Sequence, residues 1–180
     1  MKSETPATRA LALLRTIDEE RLRRYPTPNA DEFRVAAAEI LGIGQDWILV
    51  GNGSDDILTM LIRAVSDTTR PVAYPTPTYA LYRTLAQMQN APVVEVRFDE
   101  TYTLPVDALA ESGAALTLVA SPNSPSGNRM PNDALSTLAN HLNGLLVVDE
   151  AYVDFATDNA LDLTRRHDNV IVLRTLSKGY

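Results

Sequence analysis

The feature that most constrains this chain is an alternation. Short, continuously apolar runs rich in Val, Ile and Leu recur along it, separated by segments with helical spacing. The runs are "DWILV" (46–50), "PVAYP", "APVVEVRF", "ALTLVA", "GLLVVDEAY" and "DNVIVLRT". The helical segments include "SDDILTMLIRAVSD" (54–67), "TYALYRTLAQMQ", "VDALAES" and "NDALSTLANHL". Strands that are apolar on both faces and alternate with helices imply a mostly parallel sheet covered on both sides. Ahead of the alternation stand two further helical segments. Residues 7–24 form one, and "DEFRVAAAEILG", with an acidic start and Gly42 as a stop, forms the other; "YPTPNA" separates them. Trp47 opens the first run and is expected in the core.

Composition narrows the functional classes. The chain has 180 residues, 45% hydrophobic, with net charge −7 and no cysteine. That length supports one main domain. Cysteine-based disulfides and thiolate metal sites are ruled out, no metal site is expected, and a cytoplasmic protein fits. The densest basic stretch, Arg21, Arg23 and Arg24, is interleaved with Glu19 and Glu20 and reads as a solvated helix face, so no nucleic-acid partner is expected. No stretch reaches the roughly 18 apolar residues of a membrane span. "MKSETPATRA" lacks a signal peptide's apolar centre.

In parallel α/β sheets, ligands gather at the carboxyl ends of the strands, so the residues after each run carry the chemistry. "GNGSDD" offers glycines and a helix start, a suitable anion site that reads equally well as a tight turn with Ser54 as N-cap. A dinucleotide fingerprint fails, because its third glycine falls on Asp56. "TPTYALY" presents Tyr79, a candidate stacking aromatic, with Tyr82 three residues on; the core reading competes with it. "SPNSPSGN" is a rigid loop displaying Asn123, Ser124 and Ser126. "DEAY" places Asp149 directly after a buried run, where a carboxylate needs a partner. A Mg²⁺ role for it requires a G-x-x-x-x-G-K-[ST] loop, and the sequence has none. "TLSKGY" carries Lys178, the last cation of the sequence, flanked by the hydroxyls of Thr175 and Ser177. His141 and His167 lie outside this set and read as surface or helix-end residues.

A phosphate, a flat ring, a pyridine nitrogen and an aldehyde need these groups: a helix start with hydroxyls, an aromatic, a buried carboxylate and a lysine able to form a Schiff base. That is the inventory of pyridoxal 5′-phosphate. The stretches "YPTPNADEFR", "VGNGSDD", "YPTPTYALY", "SPNSPSG", "VVDEAYVDF" and "LRTLSKGY" occur in the order found in the fold-type-I, class II pyridoxal-phosphate-dependent aminotransferases, and over about residues 20–180 the chain resembles that family.

The resemblance implies a three-layer αβα large domain over 31–180, preceded by an N-terminal helix and dimer-contact segment over 1–30. It implies transfer of an amino group between a small-molecule amino donor and a 2-oxo acid. The nearest branch uses histidinol phosphate and 2-oxoglutarate, in histidine biosynthesis. It also implies roles. Lys178 would bind the aldehyde and shuttle a proton, Asp149 would pair with the ring nitrogen, Tyr152 would hydrogen-bond the ring oxygen and Tyr79 would stack. Ser54, Asp55, Thr175 and Ser177 would hold the phosphate, and Asn123 and Ser124 would line the ring, Ser124 standing where the family carries asparagine. Tyr25 would reach the phosphate of a neighbouring subunit in a homodimer. The expected chain is a portion of the enzyme without the small domain and inactive alone. A threonine-phosphate decarboxylase or an aromatic aminotransferase is the alternative within the fold; a non-catalytic fragment is the alternative of another class.

Overall fold

The structure is a computed structural model describing residues 8–179. These fall into two units, one up to Gly53 and the other Ser54–Gly179. Residues 1–7 of the expected N-terminal segment lie outside the described range.

The first unit is helical. The single helix expected over 7–24 is two: α1 (Thr8–Leu14) and α2 (Glu19–Arg23). The break has a local cause. The Thr16 hydroxyl donates to the Leu13 carbonyl, and Asp18 caps a new helix by accepting from the Arg21 backbone N–H at 2.8 Å. Helix α3 (Asp31–Leu41) stops where expected, with Gly42 left-handed at φ 63°. The strand expected over 46–50 is absent. Gln45–Trp47 form a 3-10 turn, and Trp47 is 63% exposed and not core. Arg34 explains the difference. Its guanidinium donates to the carbonyls of Gln45 (2.8 Å) and Ile48 (3.0 Å), acceptors that a strand ladder would need.

The second unit is the α/β layer expected from the alternation. Helix α4 (Ser54–Val65) leads into β1 (Val72–Thr76), α5 (Leu81–Met88), β2 (Val93–Arg97), α6 (Val106–Ala110) and β3 (Leu116–Ala120). Then follow α7 (Asn132–His141), β4 (Leu145–Asp149), α8 (Leu163–Arg166) and β5 (Val170–Leu173). The short α8 carries no signal in the sequence analysis. All five strands are parallel, in the order β2-β1-β3-β4-β5. The period-2 alternation of side chains divides the core into two layers. Val72, Tyr74, Leu116, Leu118, Val147 and Leu173 pack with Leu58, Ile62, Tyr82 and Leu85 from α4 and α5. Ala73, Val119, Leu146, Val148 and Val170 pack with Leu109, Leu135, Leu138 and Leu163 from α6, α7 and α8. The chain runs from β1 outward to β2, then returns past β1 to β3. The reversal opens a crevice between the carboxyl ends of β1 and β3, the usual ligand position in such sheets. No helix among the described residues is long and apolar enough to cross a membrane.

Candidate active site

Asp149 ends β4 and is 4% exposed. It pairs in register with Ala120 of β3 and Leu173 of β5. The alternation therefore turns its side chain to the α4/α5 face, with Val147. There it has partners: Tyr82 donates its hydroxyl to Oδ2 at 2.7 Å, and the Ala151 backbone N–H donates to Oδ1 at 3.0 Å. Burial pushes the Asp149 carboxyl above the ordinary range; these two donors and the Lys178 charge pull it back, while Asp55 adds to the upward push. The partner expected for this carboxylate exists, and it is chiefly a tyrosine.

Tyr79 lies just before α5 and is 38% exposed. Its ring meets Tyr82 edge-on, with centroids 5.7 Å apart, and its hydroxyl donates weakly to Asp55 at 3.3 Å. Burial and the Asp55 charge push the phenol upward, so it stays protonated at neutral pH. Ser54 and Asp55 open α4, a twelve-residue helix with Asp55 and Asp56 in its first turn, at the end where a helix dipole favours an anion.

Lys178 is exposed in the turn after β5, with its amine 5.5 Å from the centroid of the Tyr152 ring, at cation–π distance. In the same turn Thr175 donates its hydroxyl to Ser177 Oγ at 3.0 Å. Below it, the residues that follow the two strand ends are locked. Arg174 donates to Glu150, which is 2% exposed, at 2.8 Å, and the Ala160 N–H donates to the other Glu150 oxygen.

The loop after β3 does different work. Asn123 is buried and fully engaged: its amide donates to the Pro77 carbonyl at 3.1 Å and to Ser126 at 2.9 Å, and its oxygen accepts from Thr78 at 2.7 Å. It staples the β3 loop to the β1 loop across the crevice. Ser124 is half-buried in the same loop. Tyr25 belongs to the first unit and is 99% exposed. His141 ends α7, its Nδ1 bonded to the Thr137 carbonyl; His167 follows α8 and pairs with Ser136 at 2.8 Å.

The structure thus groups Asp55, Tyr79, Asp149, Tyr152 and Lys178 through contacts or mutual electrostatic fields. It adds three residues that the sequence left out of the site, Tyr82, Glu150 and Arg174. Tyr82 was visible only by its i+3 spacing from Tyr79, which a core aromatic shares.

The model of the family described as aminotransferase class I and II matches residues 2–180. Histidinol-phosphate aminotransferase 1 of Trichormus variabilis is 56% identical over 97% of this chain and 50% of its own length. The histidinol-phosphate aminotransferase of Rhodopirellula baltica is 48% identical over 88% of this chain and 44% of its own. The crystal structure of histidinol-phosphate aminotransferase from Sinorhizobium meliloti in complex with pyridoxal-5′-phosphate superposes with a TM-score of 0.88 at 28% identity, covering 97% of this chain and 50% of that one. The chain spans about half the length of the curated relatives it matches. A parallel sheet with its polar groups at the strand ends, and a family model that runs the whole length of that pattern, agree: the chain belongs to the class I and II aminotransferases.

Proposed function

We propose that this chain is the cofactor-holding portion of a pyridoxal-phosphate-dependent aminotransferase that moves the amino group of L-histidinol phosphate to 2-oxoglutarate in histidine biosynthesis. The observation that carries the reading is the pairing of a buried, hydrogen-bonded carboxylate, Asp149, with an accessible amine, Lys178, on neighbouring strand ends. The donor set fits the cofactor: carboxylate for a ring nitrogen, phenol ring for a flat face, helix start and hydroxyls for a phosphate. When bound, pyridoxal phosphate supplies an electron sink that makes the α-hydrogen of an amino acid or amine acidic.

The residues of the chain do the rest. Lys178 would hold the cofactor's aldehyde group through its Nζ and would serve as the proton carrier at the substrate's α-carbon. Asp149 accepts a hydrogen bond from the ring nitrogen and holds the proton there. Tyr152, beside Lys178, donates to the ring oxygen. Tyr79 covers one face of the ring and excludes water. Ser54, Asp55, Thr175 and Ser177 bind the phosphate, the first two through backbone N–H groups. Asn123 and Ser124 shape the wall from the β3 loop. We assign residues 1–30 to a dimer-contact segment and 31–180 to the cofactor-binding large domain. Tyr25, fully exposed, reaches the phosphate of a second copy in a homodimer, and the enzyme works in the cytoplasm.

The test has two parts. Adding pyridoxal phosphate to the chain is expected to produce a visible absorbance band that Lys178→Ala abolishes; a band that survives the substitution sinks the cofactor assignment. Assaying the enzyme for amino transfer from histidinol phosphate against carbon dioxide release from threonine phosphate decides the substrate. Carbon dioxide release would select the decarboxylase reading.

A further inference from the structure

Asp149 is held more tightly than a buried carboxylate needs. Its two oxygens each have a fixed donor, the Tyr82 hydroxyl at 2.7 Å and the Ala151 N–H at 3.0 Å. In a dry site neither bond can be exchanged for water, so rotating the carboxylate leaves a buried polar group unpaired. The Ala151 N–H comes with the chain turn after β4. The Tyr82 hydroxyl comes from α5, 67 residues away in sequence, and its ring is wholly buried. That ring is itself clamped between Tyr74, centroids 5.8 Å apart, and Tyr79, 5.7 Å apart. One side chain therefore sets the position of both the carboxylate and the exposed tyrosine ring above it.

We propose that Tyr82 is a positioning residue for the cofactor: its buried hydroxyl holds the Asp149 carboxylate in the single orientation that meets the ring nitrogen. The inference rests on the cofactor reading above. The groups facing Asp149 are Tyr82 from α5, Tyr79 from just before that helix, Asp55 from α4, Lys178 from the turn after β5, and the Ala151 amide. Of these, Tyr82 makes the short bond. A donor to the ionised form favours that form, whereas burial opposes it. Without the hydroxyl, the upward push of burial on the Asp149 carboxyl grows, and Oδ2 loses its fixed donor while Oδ1 keeps the Ala151 N–H.

The variant Tyr82→Phe keeps the ring and removes the donor. In the ligand-free chain, the Asp149 carboxyl resonance followed by ¹³C NMR is expected to titrate about one pH unit higher, the size of a lost bond to a charged acceptor. Affinity for pyridoxal phosphate, read by absorbance titration, is expected to fall about tenfold, a loss of roughly 1.4 kcal/mol. An unchanged midpoint overturns the proposal, even if affinity falls, because a packing defect alone would do that. Should Tyr82→Phe not fold, the unaltered chain answers instead. The Tyr82 hydroxyl proton is expected to be protected from exchange and to shift as Asp149 titrates; rapid exchange overturns the proposal. Retention of the absorbance band in Lys178→Ala would strike the cofactor reading and leave the midpoint result to judge Tyr82 separately.

Discussion

Arg174 donates from Nε to Oε2 of Glu150 at 2.8 Å, and its Nη2 lies 2.8 Å from the same oxygen, so the residue after β5 is tied to the one after β4. The Glu150 side chain is 2% exposed and that of Arg174 29%. Each is the neighbour, or near neighbour, of a proposed site residue. Asp149 precedes Glu150, and Thr175, Ser177 and Lys178 follow Arg174. The pair fixes the separation of the two halves of the site.

A broken buried pair strands a charge. Arg174→Met is expected to destabilise the chain by about 3 kcal/mol, and Glu150→Gln combined with Arg174→Met to recover at least half of that. Denaturant unfolding of four chains, the unaltered one, each single variant and the double variant, measures both; an additive double variant would show that the pair is not coupled.

Burial of Asp149 makes stability depend on pH. Burial raises its carboxyl in the folded chain. A raised carboxyl favours folding while protonated, so its contribution is complete below the ordinary carboxylate value and is lost as pH rises through the raised one. Asp149→Asn, which stays neutral, is therefore expected to gain stability over the unaltered ligand-free chain as pH rises from about 4 towards neutrality, by up to about 1.4 kcal/mol per unit of upward shift. Thermal unfolding across that range checks it, and a pH-independent difference would contradict it.

In the proposed site Tyr79 acts through its ring and not through its hydroxyl, whose contact with Asp55 is long at 3.3 Å. Tyr79→Phe is expected to leave pyridoxal phosphate affinity within about twofold, while Tyr79→Ala weakens it about tenfold through loss of one stacked aromatic face. Equal losses in the two variants would assign the role to the hydroxyl.

Gly144, just before β4, shows how closely the sheet is packed. A Cβ there would stand 2.5 Å from the carbonyl oxygens of Ala114 and Ala115, backbone atoms that cannot rotate away. Gly144→Ala is expected to cost about 1–3 kcal/mol in denaturant unfolding. At Leu118, wholly buried in the centre of the sheet, Leu→Ala is expected to cost about 2–5 kcal/mol.

Much of this architecture was legible in the sequence because its signals are local. The apolar runs that became β1 to β5, the stop at Gly42 and the polar residues after each strand are read from neighbours in the chain. Where the sequence misled, a distant group had intervened. "DWILV" has the composition of a strand, but Arg34 occupies the carbonyls of Gln45 and Ile48. The residue types of the proposed site, hydroxyl, aromatic, carboxylate and lysine in chain order, were legible in the sequence alone. Only the tertiary structure decided which oxygen of Asp149 meets Tyr82, that Asn123 is spent on stapling two loops, and that Glu150 and Arg174 lock the strand ends. Those choices depend on strand order and register, which bring together side chains dozens of residues apart, and no local pattern encodes that distance.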